Sequence, residues 1–149
     1  MPEITSPARM ENLEELIQFV ARHAETAGFA IGRIREIELA AEEILVNIFH
    51  YAYPGMEGDV SIACRSEDGS LILVFSDTGV PFNALDVPAP DLTADISDRN
   101  VGGLGVFFVK KMADDARYRR ERDHNVLMLV FDHHRPGSEG RGITDNVET

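Results

Sequence analysis

Glu43 and Asn47 stand four residues apart in the run from Glu38 to Asn47. On a helix, at about 100° per residue, they fall about 40° apart on one face. Glu36 and His50 share that face, opposite a stripe of Ile37, Ala41, Ile44 and Ile48. Taken by itself, the helix favours an ordinary solvated face. The chemical alternative is a carboxylate that accepts a proton beside a neutral amide oxygen. Mg2+ takes such an oxygen and fills its octahedron with water and phosphate oxygens. A second cluster is Asp77-Thr78-Gly79-Val80-Pro81. An ionised Asp only accepts hydrogen bonds, which suits an amino group such as that of adenine, and Gly79 lets the backbone approach a flat ring closely. A plain β-turn is the simpler account, but this turn leads into a long irregular segment and not into a partner strand. The third cluster, Gly102-Gly103-Leu104-Gly105, opens an apolar run from Val106 to Met112. Glycines before a helix N-terminus expose N–H groups where the dipole favours anions, although such a turn can also be only a tight connection. Neither a Walker A loop nor a dinucleotide fingerprint is present.

The elements that must position these clusters are legible in the periodicity. Leu13, Leu16, Ile17, Val20 and Ala24 recur at helical spacing between Arg9 and Ala27, with Ser6-Pro7 as a start and Gly28 as a stop. A second helix is expected from about Ala30 to Tyr51, ended by Pro54-Gly55. Leu39, Val46 and Tyr53 form a second apolar strip along it. Asp59 to Arg65 and Leu71 to Ser76 read as strands joined at Asp68-Gly69. Residues Asn83 to Val101 form a long loop, a helix follows the glycines with Phe107 and Phe108 in the core, and Ala116 to Glu121 and Asn125 to Phe131 close a hairpin. The expected fold class is α+β: a two-layer α/β sandwich whose mixed or antiparallel sheet is covered by helices on one face. Residues 1–134 would form one domain and residues 135–149 a polar tail.

Composition narrows the function classes. The 149 residues carry 26 acidic and 14 basic side chains, a net charge of −12. Binding to nucleic acid by phosphate neutralisation is therefore not expected. A single cysteine, Cys64, excludes a disulfide scaffold and a cysteine-rich zinc site, and is read as packing. His124, His133 and His134 read as surface histidines. No apolar run approaches a membrane span, and the first residues lack a basic and an apolar signal region, so a cytoplasmic protein with no membrane partner is expected.

The three clusters occur in a fixed order, and together they resemble the GHKL (Bergerat-fold) ATPase superfamily. The likeness is nearest to the small bacterial anti-sigma factor serine/threonine kinases, the RsbW/SpoIIAB-like group. Glu38 to Asn47 with Tyr51-Ala52-Tyr53 is similar to the N box, Asp77 to Phe82 to the G1 box, and Gly102 to Asp114 to the G2 box. The resemblance implies ATP and Mg2+ as ligands. Glu43 would be the general base, Asn47 the Mg2+ ligand and Asp77 the adenine acceptor with Gly79 beneath the base. Gly102, Gly103, Leu104 and Gly105 would cradle phosphate under a lid from Asn83 to Val101. It implies transfer of the γ-phosphate to a Ser or Thr of a STAS-type anti-sigma factor antagonist, with a sigma factor as a second partner and a homodimer by analogy. A non-catalytic ATP-binding partner switch is the alternative. Three positions depart from the family pattern. No basic residue directly precedes the glycines, so Arg99 is taken as the cation facing the γ-phosphate. Tyr51 stands where many relatives have His, and Met128 stands near a position where many have Thr.

Overall fold

A computed structural model describes residues 1–86 and 103–133 of the chain. Five strands form one sheet in the order β1-β2-β3-β5-β4. They are β1 (Glu3–Pro7), β2 (Asp59–Glu67), β3 (Ser70–Asp77), β4 (Asp115–Glu121) and β5 (His124–Asp132). Every pairing is antiparallel. Three helices, α1 (Leu13–Thr26), α2 (Ile31–Tyr51) and α3 (Gly103–Met112), complete an α+β architecture.

Alternation along the strands builds the core. In β5, Asn125, Leu127, Leu129 and Phe131 are buried while Val126, Met128 and Val130 are only half-buried. The inward residues of β2, β3 and β5 meet Leu16 and Val20 of α1 and Ile37, Ala41, Ile44 and Ile48 of α2 in one cluster. The expected two layers are thus present, with the stripe of α2 against the sheet. The β2–β3 turn has Asp68 at φ 50° and Gly69 at φ 82°, the positive-φ pair that matches the twist of a two-residue hairpin. Gly28, at φ 88°, ends α1. Its amide donates to the Glu25 carbonyl, and that of Phe29 to Ala24, which satisfies the last carbonyls of the helix.

Two expectations need correction. Ser6-Pro7 does not begin a helix; it ends β1, where Ser6 lies opposite Val60. The segment has no apolar alternation to announce a strand, and its Pro sits at the end of an edge strand, where a missing N–H is tolerated. Phe107 and Phe108 are not core residues. They are 55% and 50% exposed, and α3 instead buries Val106 and Val109, with Ala113 buried just past its end. An apolar run shows that a helix packs somewhere, but four consecutive apolar residues on a helix cannot all face one way. Cys64 is buried, as read, and burial pushes its thiol up to about 12. His124 is exposed, whereas His133 is half-buried and stacks on Phe29 with ring centroids 3.9 Å apart; His134 and the tail lie outside the described residues.

The register of α3 is fixed by a buried charge. Arg33, 7% exposed at the start of α2, donates to Asp114 at 2.6 Å, Glu36 at 2.7 Å, the Met112 carbonyl at 2.8 Å and the Asp132 carbonyl at 3.1 Å. One side chain therefore ties α2, the C-terminus of α3, the entry to β4 and the end of β5. Removing one partner of a buried pair strands the other charge, which costs about 3–5 kcal/mol. Arg33→Ala is expected to lower the unfolding free energy by about that amount in urea titrations. A loss below about 1 kcal/mol, the range of exposed pairs, would show that the cluster is already solvated.

Candidate active site

Glu43 and Asn47 do not lie on a solvated face. Asn47 is fully buried and Glu43 half-buried, because α3 and the segment Phe82–Ala84 pack over that side of α2. Asn47 donates through Nδ2 to the Ala84 carbonyl at 3.5 Å, a long contact. Its Oδ1 has no partner, and neither has Oε2 of Glu43. Among the described residues these are the only buried side-chain nitrogen or oxygen atoms so left. A buried polar atom without a partner costs about 1–3 kcal/mol, so two on adjacent turns of one helix face call for a functional reason. Gly105 of α3 closes the cluster. A Cβ there would stand 2.0 Å from the Glu43 carboxylate, so any larger residue would push that carboxylate out of its present position. Burial raises the pKa of Glu43; the Asn47 amide pulls it down and the charge of Glu42 adds to the rise.

A second cluster forms where β3 ends. Asp77 is 4% exposed and lies directly opposite Asn125 in the β3–β5 register. Its Oδ1 accepts from the Gly79 amide at 2.9 Å and from Asn125 Nδ2 at 2.8 Å. Among the described residues nothing donates to Oδ2, which leaves it for an incoming donor. Asn125 is saturated. It also donates to the Val80 carbonyl at 2.8 Å, and its Oδ1 accepts from Tyr118 at 2.7 Å, Phe82 N at 3.1 Å and Arg120 at 3.2 Å. The turn itself rests on the end of α2. The Val80 amide donates to the Ala52 carbonyl at 2.8 Å, and a Cβ at Gly79 would lie 2.1 Å from that same carbonyl oxygen. The Tyr53 hydroxyl accepts from the Thr78 amide at 2.9 Å and donates to the Asp59 carbonyl at 2.6 Å. Tyr51 packs against Phe82 with ring centroids 5.3 Å apart. Beside Asp77, a cavity of about 10 Å³ lies between Ile48, Phe82, Ala84 and Leu127, room for about one water.

The structure therefore brings Glu43, Asn47 and Gly105 together and places Asp77 and Gly79 at the far end of the same helix. Gly103 and Leu104 lie in the first turn of α3. Arg99, Gly102 and the expected lid beyond Asp86 fall outside the described residues. Met128 is not at the base end. It pairs with Val74 on the other face of the sheet, and Asn125 and Leu127 take the inward places. Asn125, Tyr118 and Arg120 were missed as site residues. One signal was available: Asn125 heads an inward series completed by Leu127, Leu129 and Phe131, and a polar residue in such a series must have a partner.

Residues 6–131 match the histidine kinase-like ATPase domain family. The chain belongs to this family. Among curated relatives of this ATPase family, the serine-protein kinases RsbW of Bacillus mycoides (strain KBAB4) and of Bacillus anthracis are each 25% identical over 133 residues, covering 87% of this chain and 83% of theirs. Among solved structures, the RsbU and RsbW domains of Rv1364c from Mycobacterium tuberculosis superpose with a TM-score of 0.59 at 15% identity. That match covers 91% of this chain and 34% of the other, so this chain spans about a third of that protein's length. The matched span, residues 6–131, contains both polar clusters.

The raised pKa of Glu43 has a measurable consequence for this ATPase domain. As pH rises, the unfolded chain gives up the Glu43 proton before the folded chain does. Folding stability therefore falls across the interval between the ordinary carboxylate value and the raised one, and stays lower above it. Glu43→Gln removes the penalty. It is expected to raise the melting temperature at neutral pH, with a gain that fades on acidification below the usual carboxylate range. A gain independent of pH would mean that Glu43 is not buried as a charge.

Proposed function

We propose that this chain is a Mg-ATP-dependent serine/threonine protein kinase of the partner-switching type. It transfers the γ-phosphate of ATP to a Ser or Thr of a STAS-type anti-sigma factor antagonist, and a sigma factor is its second partner. The observation that carries the reading is the pair of buried oxygens, Glu43 Oε2 and Asn47 Oδ1, that lack a partner among the described residues, with Gly105 of α3 directly against the Glu43 carboxylate. A proton acceptor and a neutral oxygen ligand for a hard cation are the two groups that phosphoryl transfer requires of a protein. The name shared by the curated relatives supports the same reaction class.

The residues divide the work as follows. Asp77 offers its Oδ2 to the adenine amino group, and Gly79, where a Cβ would strike the Ala52 carbonyl, lets the turn that carries Asp77 close onto the end of α2. Backbone N–H groups of Gly102, Gly103, Leu104 and Gly105 receive phosphate oxygens at the positive end of α3. Asn47 supplies its Oδ1 to Mg2+. Bound there, the ion would neutralise charge on the phosphate oxygens. Glu43 takes the proton of the acceptor hydroxyl as the new oxygen–phosphorus bond forms. The bond from the γ-phosphorus to the bridging oxygen breaks, and ADP leaves. Arg99 is assigned to the γ-phosphate charge. Burial of Glu43 suits this role, since a carboxylate whose pKa is raised by desolvation is a stronger proton acceptor than a solvated one.

Two measurements test the reading. Mg-ATP at about a hundredfold over its Kd should add about 2.7 kcal/mol, a rise in melting temperature of about 5–10 °C for a domain this size, and Asp77→Asn should abolish it. With a STAS-domain acceptor, phosphate should appear as a mass shift, and Glu43→Gln should slow transfer by about 10²–10⁴-fold. The acid limb of kcat/KM should lie above the usual carboxylate range, because the base must be ionised and its pKa is raised. Equal transfer by Glu43→Gln would remove Glu43 as the base; Mg-ATP binding with no transfer would leave the non-catalytic partner switch.

A further inference from the structure

Beside the Glu43 cluster, a groove of about 420 Å³ runs between α2 and α3. Leu39 and Val46 of α2 and Phe108 and Met112 of α3 form its apolar walls, and Glu43 and Gly105 line the same groove. Leu39 is 56% exposed and Phe108 50%. Beside them Phe107 is exposed as well, edge-on to Phe108 with ring centroids 6.0 Å apart. Single exposed apolar residues are ordinary, but two facing each other across one groove, with a third beside them, mark a place where something docks.

We propose that this groove seats a large apolar side chain next to the phosphoacceptor serine or threonine of the partner protein. The assignment rests on the kinase reading above and adds where the acceptor is held. Its argument is continuity: the carboxylate that accepts the hydroxyl proton is part of the groove wall. An acceptor gripped by one hydroxyl hydrogen bond is poorly oriented, and orientation is most of what phosphoryl transfer needs. An apolar anchor within a few ångströms of Glu43 supplies that orientation to any acceptor with an apolar neighbour. The volume accommodates one or two side chains. Glu42 on the groove's lining and the net charge of −12 disfavour an anionic lipid surface as the occupant. The second apolar strip read from the sequence thereby divides: Leu39 and Val46 line the groove, while Tyr53 serves the Asp77 turn.

The test uses the intact chain, purified STAS-domain proteins of its own genome as acceptors, and the variants Leu39→Ala and Phe108→Ala. Both side chains are half-exposed, so the variants should fold; melting temperature and Mg-ATP affinity verify this. The expected result is a kcat/KM for the acceptor lowered about tenfold or more in each variant, with the Kd for Mg-ATP unchanged. Ile31→Ala, at the exposed start of α2, should leave both constants unchanged. If both groove variants phosphorylate the acceptor with the kcat/KM of the unmodified chain, the groove is not the docking surface and the kinase reading stands. If the unmodified chain binds Mg-ATP but phosphorylates none of the acceptors, the kinase reading falls and the docking assignment falls with it.

Discussion

The site depends on one costly arrangement, the burial of a polar row on the central helix. Helix α2 has two covered sides. On one, Ile37, Ala41, Ile44 and Ile48 pack against the sheet. On the other, Glu43 and Asn47 lie beneath α3 and Ala84 with two oxygens, Glu43 Oε2 and Asn47 Oδ1, that no donor among the described residues reaches. A helix surrounded by protein is usually apolar all round. Here the hydrophobic side offsets the cost of the polar one, and each fully buried aliphatic chain contributes about 1.5–3 kcal/mol. The two orphan oxygens are tolerable only because the sheet-facing stripe holds the helix regardless of what the other side does.

Helix α2 also ties the two clusters together. From Glu43 to Ala52 the chain rises about 14 Å, comparable with the reach of an extended nucleotide. Ala52 offers its last carbonyl to Val80, and Gly79 packs against the same atom. The Asp77 turn therefore cannot shift without disturbing the end of the helix that carries Glu43. Arg33 pins the C-terminus of α3 at the other end. Since Arg33 meets Met112 and Glu43 meets Gly105, α3 runs antiparallel to α2. Its glycine end is thereby directed to the middle of α2.

Most of this was legible because the signals were periodic or compositional. Helix α2, both hairpins, the Asp-Gly turn and the stop at Gly28 follow from spacing and turn chemistry. Glu43, Asn47, Asp77 and the glycine run were singled out because acids, amides and glycines at those spacings have few purely structural uses in combination. What escaped is non-local. β1 is a strand only because β2 offers an edge to pair with, and nothing in Glu3 to Pro7 records that. The exposure of Phe107 and Phe108 depends on how α3 is rolled against α2, which its own sequence leaves open. The burial of Asn47 depends on Ala84, thirty-seven residues away. Met128 was placed near the base on sequence position alone; a one-residue change of register carries a side chain to the other face of the sheet.

Asn125 is the more informative residue of this strand. A Thr in its place would offer one donor and its acceptor lone pairs. Asn125 spends both donors on Asp77 and Val80 and draws Tyr118, Phe82 N and Arg120 onto its oxygen. It therefore fixes the carboxylate and the following loop together, using protein atoms alone. Because Nδ2 and the Gly79 amide both occupy Oδ1, Asp77 is held as an acceptor with one oxygen to spare. A group that donates is matched there, whereas a carbonyl would put two oxygens face to face. What Asp77 can receive is thus set by its strand partner as much as by Asp77, and a saturated buried amide sets it without adding a further orphan to the two that α2 already carries.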